Sequence, residues 1–478
     1  MTLHGRITLG LAALSSSLAL PIGVQAQTQT LRPDQTAFRA LYRELVETDT
    51  SITTGSCTAL ADTIGTRLKA AGYADSAITR FAVPDHPKEG GLVVVLPGSS
   101  KTSKPMLLLG HLDVVVANKA DWTRDPYTMI EENGYFYGRG TADMKAMDAI
   151  WIDTMIRFKQ SDHTPKRTIK LALTCGEETS WAFNGAKWLT QNRPDLIAAE
   201  FALNEGGGGR SDGAADGRAK LVIANIHVGE KAAVNYRIEA TNPGGHSSAP
   251  VRDNAIYELA DAIAKVRDYD FPLQMTDTTR AYFRIAGKAR GDAMGAAMMT
   301  LSADPTDTAA EALVNTDKSY HSMLRTTCVA TLLDGGHANN ALPQRAGANV
   351  NCRIFPGVSS DAVRADLERV IADPRMTVRQ VDDRGPAGSP PPLDPKIVGP
   401  AEKLLAKYYP GVPLAPVMST GATDGIYLAA IGIPSYGPPG LYGDPDGNGA
   451  HGLNERAIVK AVYTGRDYLY DLVKAYAG

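Results

Sequence analysis

The sequence predicts an α/β protein, a mostly parallel sheet flanked by helices, into which a smaller α+β domain of ferredoxin-like order is inserted. Three observations carry this. From Pro33 to Leu203, helical spacing alternates with short apolar runs bounded by Gly and Pro, the pattern of a sheet covered on both faces. From about Ala232 to Val381 the order becomes strand, helix, strand, strand, helix, strand. After the Pro-rich stretch Gly385 to Pro395, which is stiff by composition, the alternation returns, so the second domain interrupts the first. The chain has 478 residues, 44% hydrophobic and 21% charged, enough for two or three folded domains and unlike a disordered or collagen-like chain. A net charge of −3 gives no global reason to bind nucleic acid or acidic lipid.

Taken in order, residues 1–26 read as an export signal. His4 and Arg6 precede the apolar run Ile7 to Leu20, and Val24-Gln25-Ala26 offers a small-x-small cleavage site. The run is short for a spanning helix and is followed by Pro21 and Gly23, so a secreted or periplasmic product free of the membrane is expected. Residues 27–222 and 386–478 form the large domain by this reading, and 223–385 the inserted one. Gln35 to Glu47 and Cys57 to Ala71 are helical by spacing, and Gly91 to Leu96, Pro105 to Gly110 and Thr168 to Thr174 read as strands. In the insert, Ala232 to Ala240, Thr326 to Leu333, Ala346 to Phe355 and Met376 to Val381 read as strands. Asn254 to Val266 and Ser360 to Ile371 read as helices, and Asp268 to Arg325 is a long polar insertion. The four cysteines allow three pairings. Cys328 and Cys352 would face each other if their strands pair around Asn340; four buried free thiols are the other reading.

The residues with chemistry sit at the carboxyl ends of the predicted strands, where open α/β sheets bind ligands. The run Leu107-Leu108-Leu109-Gly110 delivers His111, with Asp113 two residues on. Gly138-Arg139-Gly140-Thr141-Ala142 leads to Asp143 at a helix entrance, where an isolated Asp would be an N-terminal cap. Leu171 to Thr174 ends in Cys175-Gly176-Glu177-Glu178, and the two acids face opposite ways on an extended chain, so each can do a different job. Ala202-Leu203-Asn204 ends in Glu205 and four glycines, and Gly449-Ala450-His451-Gly452 brings a second His near the C-terminus. Each motif alone has a bland reading. Five such motifs in Gly-rich turns, mostly at strand ends of one sheet, do not.

In this order, GHLDVV, GRGTADMK, the GEE pair, NEGGGG and GAHGLNE resemble the M20 family of metallopeptidases, from roughly Phe38 to the C-terminus. The resemblance implies a two-zinc catalytic domain interrupted by a ferredoxin-like lid that often makes a homodimer. It implies that His111 and Glu205 hold one zinc, Glu178 and His451 the other, and that Asp143 bridges them. Such an ion pair, about 3.5–4 Å apart, lowers the pKa of water and polarises a carbonyl. Co²⁺, Mn²⁺ or Ni²⁺ would also suit these donors. Glu177 would be the general base, Asp113 would orient His111, and the Asp143–Met144 peptide would be cis.

The resemblance extends to the lid. Asn242-Pro243-Gly244-Gly245-His246 resembles a motif whose His reaches the partner's site and stabilises the oxyanion; a capping turn is the alternative. Asn340 and Arg353 match substrate-contacting positions, Arg353 as a bidentate grip on a carboxylate. Gly421 and Thr423, in Ser419-Thr420-Gly421-Ala422-Thr423-Asp424, would hold a substrate carboxylate at a helix entrance. Two departures are Gly176, where relatives commonly have an acid, and Val116, where they have Pro. The long insertion resembles the enlarged lids of dipeptidase and carboxypeptidase relatives. The expected activity is therefore a zinc exopeptidase acting on dipeptides or C-terminal residues. An N-acyl-amino-acid amidohydrolase is the alternative; a binding protein that lost the chemistry would show a broken ligand set.

Overall fold

The computed structural model describes residues 31–161, 163–179, 183–381 and 391–478. The expected signal segment and most of the Pro-rich stretch lie outside the described residues. Ten strands form one mixed, mostly parallel sheet, whose centre sets the parallel strands Ile169–Thr174, Met106–His111 and Phe201–Leu203 side by side. The register aligns Met106 with both Ile169 and Phe201, and His111 with Thr174. The segments that follow, carrying Asp113, Glu177, Glu178 and Glu205, therefore leave the sheet at one edge.

These central strands are apolar along their whole length because both faces are covered. Leu108, Leu171 and Leu173 pack with the helices Cys57–Ala70, Lys145–Gln160 and Val459–Ala477, while Leu107, Leu109 and Ala172 pack with Leu189 and Leu428 on the other face. Trp151, fully buried, ties the helix Lys145–Gln160 to the sheet by donating its indole N–H to the Leu109 carbonyl at 3.2 Å.

The lid is a four-stranded antiparallel sheet in the order Thr327–Gly335, Arg345–Ile354, Ala232–Thr241, Met376–Gln380. With the helices Ala255–Arg267 and Ser360–Ile371 packed on it through Leu259, Val363 and Leu367, this is the ferredoxin-like arrangement. The strand Leu221–Glu230 belongs to the large sheet, so the expected boundary at residue 222 falls inside a strand and the crossing into the lid is at Lys231.

The segment Asp268 to Arg325 is not an enlargement of the lid sheet. Its helices Asp277–Arg290, Ala293–Ala303, Thr308–Val314 and Lys318–Met323 bury Phe283, Met298, Leu301 and Val314 against Ile223 and Ala415 of the large sheet. Polar composition hid this amphipathic stripe; the parallel strand pair Leu414–Ser419 and Leu221–Glu230 needs a covering layer, and the insertion supplies it.

Both disulfides form. Cys328 and Cys352 are directly opposite on paired strands and bonded, and Cys57 at the start of its helix is bonded to Cys175 after the strand Ile169–Thr174. Among the described residues no helix is long and apolar enough to cross a membrane.

Candidate metal centre

His111 is buried at the end of its strand, and its Nδ1 lies 3.1 Å from the main-chain oxygen of Asp113. That contact fixes the proton on Nδ1 and leaves the Nε2 lone pair pointing inward. Nε2 lies 3.4 Å from Asp143 Oδ1 and 3.6 Å from Glu205 Oε2, buried and without a hydrogen bond. His451, a non-glycine residue at φ +60°, puts its Nε2 3.0 Å from Asp143 Oδ2 and 2.9 Å from Glu178 Oε2. The two oxygens of Asp143 thus face two different imidazoles, and the five expected ligands come together. Glu177 joins His111 and Glu205 in a group whose ligand atoms lie within 4.8 Å of one another.

A single carboxylate explains why the Asp143 turn and the His451 loop form one unit. Glu455 is fully buried and accepts from the main-chain N–H of Gly140 at 2.9 Å, Ala142 at 2.8 Å and Asp143 at 3.0 Å. Arg139 completes it, donating to Glu455 Oε2 at 2.7 Å and to the Gly452 carbonyl at 2.9 Å. The following Asp143–Met144 peptide is cis. The sequence offered a signal for Glu455, four residues after His451 in the same motif, but no role could be read from it.

Asp113 differs from its expected role. Its carboxylate is 3.7 Å from His111 Nδ1, and the hydrogen bond that orients the ring comes from its main-chain oxygen. The carboxylate instead accepts the N–H groups of Glu177 at 3.4 Å and Glu178 at 3.0 Å, fixing the turn that aims those two acids. Gly176 is needed in that turn: its φ is +94°, and a Cβ there would lie 1.8 Å from the Phe183 carbonyl. The same turn is braced by Asp424, another residue the sequence left without a role, which accepts from Thr174 Oγ1 at 3.1 Å and Asn184 Nδ2 at 2.7 Å.

The electrostatics are those of a site short of positive charge. Burial, reinforced by the charge of Glu205, pushes the Glu177 carboxyl well above its ordinary range, and burial raises Glu178 as well. Burial would also raise Asp143, but the imidazoles of His111 and His451 facing its two oxygens hold it below the usual carboxylate range. His451 is pushed up to about 10 by its hydrogen bonds to Asp143 and Glu178. Carboxylates gathered around two inward-facing imidazole nitrogens suit divalent cations: the donors are those that bind zinc, and His111 Nε2 is buried with no hydrogen-bond partner in the protein.

Residues 107–475 match the model of peptidase family M20/M25/M40. The chain belongs to the M20 family. It is 27% identical over 389 residues, 80% of this chain and 74% of the other, to the probable carboxypeptidase S-like 2 of Dictyostelium discoideum. It is 27% identical over 405 residues, 83% and 79% of the two chains, to the human N-fatty-acyl-amino acid synthase/hydrolase. The M20 metallo-carboxypeptidase Sso-CP2 of Sulfolobus solfataricus shares the fold, with a TM-score of 0.67 and 17% identity over 94% of this chain and 100% of that one.

The remaining site candidates of this M20 chain are carried by the lid and by the turn before the helix Gly425–Ala430. His246 is exposed on a two-residue pairing with Ala341 and Leu342, and the Asn340 carbonyl accepts the Ser247 N–H at 3.1 Å, so the lid places Asn340 beside His246. Among the described residues no hydrogen bond or ion pair joins either to the cluster. Arg353 lies in the central lid strand opposite Ala233 and Thr327, close to the crossing at Lys231. Gly421 and Thr423 are engaged within the protein: the Gly421 N–H donates to Ser419 Oγ at 3.0 Å, and buried Thr423 Oγ1 accepts from Asn204 Nδ2 at 3.1 Å and the Gly425 N–H at 3.0 Å. These bonds fasten the turn before the helix Gly425–Ala430 to the sheet, and Thr423 also meets the buried Glu230 carboxyl.

Proposed function

We propose that this M20 chain is an exported two-zinc exopeptidase that hydrolyses the amide bond of dipeptides or C-terminal residues and releases a free amino acid. The observation that carries it is the facing of two imidazole Nε2 atoms across the two oxygens of Asp143. His111 and Glu205 would hold one zinc, His451 and Glu178 the other, with Asp143 between; Co²⁺ or Mn²⁺ would be accepted by the same donors. When bound, the ions supply Lewis acidity, which makes water acidic and polarises the scissile carbonyl.

The chain's own groups do the rest. Glu177, whose burial raises its affinity for a proton, takes one from the attacking water and delivers it to the leaving amine. Asp113 and Glu455 hold the turns that aim the ligands. On the lid, His246 Nδ1 accepts from the Ser248 N–H at 3.1 Å, which leaves Nε2–H as the outward donor suited to a developing oxyanion. Asn340 and Arg353 would contact the substrate. The lid edge strand exposes Val329, Leu332 and Leu333 at 60–68%, which supports a homodimer through the lid and the presentation of His246 to the partner's site. The signal-like segment and the two disulfides support export to an oxidising compartment.

A second reading, an N-acyl-amino-acid amidohydrolase, is favoured by the similarity to the human N-fatty-acyl-amino acid synthase/hydrolase and shares all the chemistry. Amino acid release from a panel of dipeptides and N-acyl-amino acids separates the two. Release must stop on chelation and return with zinc, with two metals per chain by elemental analysis; a metal-loaded protein inert on the whole panel would sink the hydrolase reading.

A further inference from the structure

The motif around His451 carries a second pattern. Asp444-Pro445-Asp446-Gly447-Asn448-Gly449, with Glu455 further on, has the spacing of a calcium-binding loop, in which acidic or amide side chains at the first, third and fifth positions and a Glu at the twelfth converge on one ion, with Gly at the sixth. Here the twelfth position is spoken for, because Glu455 spends its two carboxylate oxygens on Arg139 and three main-chain N–H groups. A cation stands in the loop nonetheless, and it belongs to the protein. Arg456 Nη2 donates to Asp444 Oδ2 at 3.1 Å and to Asp446 Oδ2 at 2.7 Å.

Around this guanidinium the turn closes on itself. Asn448 Oδ1 accepts the Asp444 N–H at 2.8 Å, Asp446 Oδ1 accepts the Asn448 N–H at 3.0 Å, and the Asn448 carbonyl accepts the Arg456 N–H at 2.9 Å. Asp444 is the stronger partner, with its side chain 7% exposed against 60% for Asp446. Its other oxygen accepts from Ser211 Oγ at 3.2 Å, at the end of the strand Gly208–Ser211, which ties the turn to the large sheet. Arg456 is itself fixed in place: its strand Arg456–Ile458 pairs with Tyr135–Tyr137, and its guanidinium lies 5.3 Å from the centre of the Tyr135 ring.

What this turn holds is the backbone that presents His451. Gly447, Asn448, Gly449 and His451 are all left-handed, with φ between +60° and +81°. A non-glycine residue keeps that conformation only where its surroundings over-determine it. Arg139 holds the loop after His451, through the Gly452 carbonyl, and the contacts of Arg456 hold it before. Main-chain bonds from the Ala450 N–H to Gly447 and from the Gly452 N–H to Gly449 carry the turn across His451. We infer that Arg456 is a positioning residue for the metal centre: its guanidinium takes the place of the ion in a calcium-loop-like turn and so aims His451 Nε2 at Asp143 and Glu178. The inference rests on the two-metal reading above for its zinc readout alone.

Zinc uptake by the metal-free full chain, titrated against a chromogenic chelator, tests it. Arg456→Ala should bind the zinc of the His111–Glu205 pair as the wild type does and the zinc of the His451–Glu178 pair about tenfold more weakly, the scale of a lost supporting contact. Methylguanidine, which fits the vacated position, should restore that zinc, and Arg456→Lys, which keeps the charge but loses the planar fork, should fall between. In a His451→Ala background, Arg456→Ala should leave the remaining zinc unchanged. Wild-type affinity for both ions in Arg456→Ala, a loss that methylguanidine does not restore, or a loss that persists in the His451→Ala background each makes Arg456 a fold contact only and overturns the inference. If the wild type takes up no zinc, the metal-centre reading falls, and a crystal structure of Arg456→Ala decides the positioning role: His451 displaced from Glu178 upholds it, and His451 in place overturns it. Should Arg456→Ala not fold, Arg456→Lys is read by the same criteria.

Discussion

In the large domain two of the expected ligands and the expected base sit on backbone that a buried carboxylate holds: Glu455 gathers three N–H groups behind Asp143, and Asp113 gathers two behind Glu177 and Glu178. In the lid, His246 lies exposed on a pairing two residues long, oriented only by its neighbour Ser248. The first arrangement prepares a centre before any substrate arrives, as electrostatic preorganisation requires. If His246 is the proposed oxyanion donor, the second arrangement requires it to be brought to the reaction, by closure of the lid or by a second subunit.

The comparison breaks most completely at Asp143. Asp143→Ala should release metal, measured by elemental analysis after gel filtration, and reduce turnover to background; an enzyme that keeps two metals and its rate would contradict the bridging role. Glu177→Ala should lower kcat by about 10³-fold while both metals stay bound, so a retained rate would leave the base unassigned. On the lid side His246→Ala should cost about 10²-fold in kcat, the scale of one lost oxyanion donor, with metal content and melting temperature unchanged. If His246→Ala instead lowers stability, the residue is a turn former and the contrast between the halves dissolves.

The disulfides sharpen the same contrast with a smaller effect. Removing Cys328–Cys352 by double Ser substitution should cost about 3 kcal/mol in denaturant unfolding, because it closes a loop across 24 residues, and should leave kcat near wild type. Removing Cys57–Cys175 should lower both stability and kcat, since Cys175 stands two residues before Glu177 at the end of its strand. Equal effects on kcat from the two bridges would mean that the strand end is held without the second.

Much of this architecture was legible in residue order alone. Apolar runs that end in His or acid place those residues at the carboxyl edge of a parallel sheet because the fold covers both faces of its central strands and leaves the strand ends open. The ferredoxin-like lid was legible because its strands and helices follow one another with little between them, apart from a single insertion. That insertion was misplaced: a polar composition with an apolar stripe does not say which sheet the stripe covers, and Ile223 and Ala415 lie far from it in the chain. The Cys57–Cys175 bridge joins residues 118 apart, and no local pattern selects it.

Sequence by itself determined which side chains can act as ligands and bases, and in what order the strands deliver them, because periodicity and glycine placement are local properties of the chain. Only the tertiary structure decided how those side chains are held. It set the tautomer of His111, gave Asp113 and Glu455 to main-chain N–H groups, and buried Thr423 against Asn204. Each of these depends on which distant segments share a buried space, where an unpaired polar group is costly and must find its partner wherever the fold brings one.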